Sequence, residues 1–105
     1  MAKAKSRKLH KNIQVAYQRL LTRGGLLCRQ FSNSEEAVNH GGNYVYFTVR
    51  DNLPFPTGAG RFLIENDLAM PGGDGLFDDT PQTFRVVDRP VFEAFKAAYE
   101  APHAQ

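Results

Sequence analysis

Five residues in the second half of the chain, Pro71-Gly72-Gly73-Asp74-Gly75, can sustain neither a helix nor a strand, so the backbone must turn there. What precedes the turn reads as a short helix. Pro54 and Pro56 hold the approach extended, because the residue before a proline is pushed out of helical geometry, and Thr57 offers a hydroxyl as N-cap. From Gly58 onward, Ala59, Phe62 and Leu63 fall on one face, with Leu68 beyond the end, while Arg61, Ile64 and Glu65 point the other way. Asn66 is suited to the left-handed geometry that ends a helix, and residues 68–70 then form a brief strand. After the turn, residues 82–87 alternate, with Phe84 and Val86 on one face and Thr83, Arg85 and Val87 on the other, as a returning strand does.

Helix, short strand, hairpin tip and strand, in that order over residues 57–87, resemble the second half of a winged-helix DNA-binding domain. The resemblance implies a small α+β domain with three to four helices and a small antiparallel sheet. It also implies that the free face of the helix lies in a major groove with Arg61 as a base or phosphate contact and Thr57 contributing, and that residues 71–81 are the wing. Two features depart from that pattern. The wing carries Asp74, Asp78 and Asp79 with no basic residue, and Glu65 follows Arg61 by one turn. Arg61 and Glu65 also read as an ordinary solvated i,i+4 pair.

Charge divides the chain. Residues 1–23 hold seven basic side chains and no acid, whereas the remainder sets six basic residues against eleven acids. A basic end on an acidic body is a common arrangement for contact with nucleic acid, although a solubilising terminus has the same composition. Residues 1–7 are expected to be a flexible basic arm, 8–101 one domain, and 102–105 a frayed end. A single cysteine excludes an internal disulfide. No apolar run approaches the roughly 18 residues of a membrane span, and no apolar segment follows the basic start as in a secretory signal. The expected compartment is the cytoplasm.

Residues 8–22 form the clearest helix, with Leu9, Ile13, Ala16, Tyr17 and Leu20 toward a core, Lys8, Lys11 and Arg19 at flanking positions, and Gly24-Gly25 as the stop. Residues 26–31 read as a strand with Leu27, Arg29 and Phe31 opposite Leu26, Cys28 and Gln30, which makes Cys28 a small buried residue. Ser32 with Glu35, or Asn33 with Glu36, has capping-box spacing for a short helix ending at Gly41. Residues 43–49 are the strongest strand. Their Val45/Phe47/Val49 face is expected in the core, leaving Tyr44 and Tyr46 either as packing or as a stacking surface for single-stranded nucleic acid. Finally Asp88 and Pro90 start a helix that presents Phe92, Phe95 and Tyr99 on one side. These aromatics either close the core or pair two copies in a homodimer.

Catalytic and metal-site patterns are missing from the sequence. His10, His40 and His103 are scattered, the Asp74–Asp79 spacing is not that of an EF-hand loop, and Gly58-Ala59-Gly60-Arg61 lacks the ending of a phosphate loop. The expectation is therefore a non-enzymatic, DNA-binding regulatory protein without metal or cofactor. Lys3, Lys5, Arg7, Lys8, Lys11, Arg19, Thr57 and Arg61 would meet duplex DNA. The alternative is a protein-interaction module, an adaptor or inhibitor, that meets its partner through the acidic body with Ile64, Leu76 and Phe77 at the contact.

Overall fold

The computed structural model describes residues 8–49, 52–71 and 82–101. These form α1 (Lys11–Thr22), β1 (Leu26–Phe31), α2 (Glu35–His40), β2 (Tyr44–Thr48), α3 (Thr57–Glu65), β3 (Ala69–Pro71), β4 (Gln82–Val86) and α4 (Arg89–Glu100). The four strands make one antiparallel sheet in the order β2-β1-β4-β3. The fold is thus a small α+β domain of winged-helix-like layout. Strands β1, β4 and β3 with α3 ahead of the β3–β4 hairpin give that layout, and β2 is an added edge strand.

Sheet register decides which side chains meet. Leu27 lies opposite Thr48 on one side and Phe84 on the other, and Ala69 lies opposite Val86. These residues share one face, are buried, and pack under Ala16, Tyr17 and Leu20 of α1 and Ala59 and Leu63 of α3. α4 closes the outside of that layer. Phe92 is 1% exposed and its ring stacks on Tyr17 at 3.9 Å, while Phe95 and Tyr99 meet Phe62 of α3 at 6.0 and 5.9 Å. The three aromatics of α4 therefore all pack within the domain, Phe92 fully buried and Phe95 and Tyr99 partly so.

Several local readings change for identifiable reasons. The β2 alternation is as expected but its faces are reversed: Tyr46 and Thr48 are buried, and Val45 and Phe47 are only partly covered. Tyr46 tolerates the interior because its hydroxyl donates to the Gly41 carbonyl at 2.9 Å, so its ring is buried without an orphaned polar tip. Thr57 is the first helical residue rather than the cap. Its methyl is turned onto Gly41, where an added Cβ would stand 2.6 Å from it, and Pro56 occupies the cap position without a side-chain hydrogen bond. The left-handed residue after α3 is Asp67 (φ 59°), not Asn66 (φ −105°), which moves the strand to Ala69–Pro71. Ser34, rather than Ser32 or Asn33, caps α2 by accepting from the Ala37 N–H at 3.2 Å. α1 begins at Lys11 instead of Lys8, because the Leu9 N–H is bound by the Glu100 carboxylate at 2.8 Å and its carbonyl by Gln14 at 2.8 Å. At the other end Gly24 and Gly25 have φ of 107° and 76°, and the Gly25 N–H returns to the Leu20 carbonyl. That reversal carries the chain from α1 straight into β1.

Candidate nucleic-acid interface

A four-residue spacing on α1 brings Lys11, Val15 and Arg19 onto one exposed strip. Val15 is 52% exposed at its centre. Along this strip runs a cleft of ≈ 230 Å³ lined by Lys11, Asn12, Val15, Ala16, Arg19 and Pro56. A second cleft of ≈ 350 Å³ continues past Asn12 and Pro56 to Ile13, Gly58, Ala59 and Phe62. Pro56 is the hinge point of the surface, because it immediately precedes α3. The first N–H groups of a helix have no partner within it, and they lie at the positive end of its dipole. No side chain caps α3, and Gly58 is exposed with open space where a Cβ would stand. Two cations and the amino end of a helix therefore border adjoining clefts that share Asn12 and Pro56. Among the described residues neither Lys11 nor Arg19 makes an ion pair.

The other sequence-selected residues are distributed differently. Lys8 is exposed three residues ahead of α1, near enough to Glu100 to help hold that carboxyl below its usual range, behind the larger effects of the Leu9 N–H and Lys96. Arg61 is committed to Glu65, with Nε donating to the carboxylate at 2.9 Å. That hydrogen bond, reinforced by the carboxylate charge, raises the Arg61 pKa. Ile64 is half-buried and packed on the core. Lys3, Lys5, Arg7, Leu76 and Phe77 lie outside the described residues.

Register also assembles a group that no spacing rule would have selected. Phe31 lies opposite Tyr44, and Arg29 opposite Tyr46 and Gln82. The Arg29 guanidinium sits 4.2 Å from the Tyr44 ring centre and 5.0 Å from that of Phe84, while its Nε donates to Gln82 Oε1 at 2.6 Å. The alternation of residues 26–31 placed Arg29 and Phe31 on one face, which was the available signal. Which tyrosines would face them was not contained in it. Burial raises the pKa of the Tyr46 phenol, against the opposing charges of Arg29 and Arg61.

Among the described residues no group of three or more histidine, cysteine or acidic side chains is placed to hold a metal ion. None of the described helices is long and apolar enough to cross a membrane. No protein-family model, no curated protein and no solved structure matches the chain.

Proposed function

We propose that the protein is a small, non-enzymatic nucleic-acid-binding protein of regulatory type. The observation that carries this reading is the exposed Lys11–Val15–Arg19 strip beside the uncapped amino end of α3. Phosphate oxygens bind well where helix amides and cations converge. The basic composition of residues 1–8 would extend the same field. Arg61 is a secondary contact in this reading, since a phosphate would have to compete with Glu65 for it.

Fluorescence anisotropy of the full chain against a labelled duplex, titrated over salt, tests the reading. Binding should weaken steeply as salt rises, because each neutralised phosphate releases counterions. Replacing Lys11 and Arg19 by alanine should lower affinity for all sequences and flatten the log K against log[salt] slope by roughly 2. No binding at low salt would refute it.

A second reading rests on the apolar lining of the two clefts. Ile13, Val15, Ala59 and Phe62 would suit an apolar side chain of a protein partner, with Lys11 and Arg19 at the rim. It predicts capture of an acidic protein that Val15→Asp abolishes, with no dependence on nucleic acid.

A further inference from the structure

We propose that Phe31, Tyr44 and Arg29 form a stacking platform for an unpaired nucleobase, so that the protein engages single-stranded nucleic acid through a contact that a duplex cannot make. This rests on the nucleic-acid reading above and specifies the ligand.

The helical layer leaves this end of the sheet open. Tyr46 is 4% exposed, but one cross-strand pair further on Phe31 is 44% exposed and Tyr44 is only half-buried. Their rings meet edge to face, 6.3 Å apart at 89°. In that geometry the edge of one ring occupies a face of the other, and Arg29 covers a face of Tyr44, so Phe31, the more exposed ring, is the one that offers a face to a third ring. Arg29 adds a planar cation whose position is set on both sides, by Tyr44 and Phe84, and through Nε by Gln82. Among the described residues its terminal N–H groups make no hydrogen bond and no carboxylate pairs with it.

Charge and shape together select the occupant. Exposed aromatic faces attract any flat ring, but a fixed guanidinium beside them favours a ring that carries acceptors and hangs from a phosphate chain. Nucleobases in a single strand meet both requirements, and base–aromatic stacking with arginine support is the usual way such strands are held. In a duplex both base faces are already covered by neighbouring pairs. The platform's strand is also tied to the proposed phosphate surface: Tyr44 donates its N–H to Gly41, and Gly41, itself buried, packs against Thr57 at the amino end of α3.

The chain contains no tryptophan, so Phe31→Trp supplies both a conservative ring and a unique fluorophore. Its emission should be quenched by a single-stranded oligothymidylate of about 12 nucleotides and left unchanged by a duplex of the same length. By anisotropy at fixed salt, Phe31→Ala should lose about 5- to 100-fold in affinity for the single strand. Duplex affinity and the salt slope should be unchanged, and Phe31→Trp should bind at wild-type strength or better. Phe31 is exposed, so these variants should retain the wild-type circular dichroism. If wild-type protein binds both probes and Phe31→Ala leaves single-strand binding intact, or weakens both probes equally, the platform is refuted while the nucleic-acid reading stands. Failure of wild-type protein to bind either probe at low salt overturns both.

Discussion

Two glycines two residues apart in α3, and so on nearly opposite faces of the helix, should respond to the same substitution with opposite signs. Helix propensity alone favours alanine over glycine by about 1 kcal/mol in a helix interior. At Gly60 that gain meets an obstacle: an added Cβ would stand 2.6 Å from two atoms of the Tyr46 ring and 3.0 Å from its Cβ. The ring cannot easily withdraw, since Tyr46 is 4% exposed, belongs to β2, and is pinned by its hydroxyl to Gly41 at 2.9 Å. Overpacking of this kind costs about 1–3 kcal/mol, and contacts this close put Gly60 toward the upper part of that range. Gly60→Ala should therefore destabilise by about 1–2 kcal/mol net of propensity. At Gly58, where nothing lies within 4 Å of the same position, alanine should stabilise by up to about 0.5–1 kcal/mol, reduced by its place near the helix start. Urea denaturation reads both. With a slope of about 1–3 kcal/mol/M, the midpoint should fall by roughly 0.3–2 M for Gly60→Ala and rise for Gly58→Ala. In a Tyr46→Ala background most of the Gly60→Ala penalty should disappear, because the two ring atoms at 2.6 Å are gone and only the Cβ at 3.0 Å remains. A Gly60→Ala midpoint at or above wild type, or a penalty that persists undiminished without the Tyr46 ring, would refute the steric account.

Three further outcomes follow from the packing of α1 and α4. Tyr17→Phe keeps the ring stack on Phe92 but removes the hydroxyl that donates to the Val87 carbonyl at 2.6 Å; an orphaned carbonyl there should cost about 1–2 kcal/mol in urea unfolding, and a change near zero would mean that water takes over the bond. Phe92→Ala removes the largest α4 contribution to the core and should cost about 3–5 kcal/mol, with protection of α4 amides lost first in hydrogen exchange. Glu100 accepts the Leu9 N–H at 2.8 Å and lies 3.4 Å from Lys96 Nζ, which holds its carboxyl below the usual range. Because the folded pKa is lowered, this stabilisation is fully present above the ordinary glutamate value of about 4.3 and is lost as pH falls through the folded value. Wild-type protein should thus lose more stability on acidification below that point than Glu100→Gln, and parallel pH profiles would contradict the assignment.

The proposed interface was legible in part. Lys11 and Arg19 lie eight positions apart, each four from Val15, along one helical periodicity, a local property that sequence carries directly. Their convergence on Pro56 depends on how α1 packs against α3, which no local pattern encodes. Arg61 and Glu65 show the reverse case: their i,i+4 spacing is both the signal and the structure, and the pair forms as the spacing predicts. Phe31, Arg29 and Tyr44 were readable as members of two strands, but their assembly required the register of β1 on β2 and the placement of β4 beside them.

By itself the sequence determined where each regular element falls to within a few residues, because apolar periodicity, glycine and proline stops act over neighbouring positions. It also determined that Phe92, Phe95 and Tyr99 needed a common apolar surface. Tertiary structure decided which face of β2 is inside. Tyrosine and threonine are amphipathic, and their burial is favourable only when a carbonyl such as that of Gly41 waits at the right place. It likewise decided the strand order β2-β1-β4-β3, in which Arg29 reaches Gln82 across 53 positions of chain. Contacts of that range are selected by the packing of the whole domain, since no local propensity distinguishes one distant partner from another.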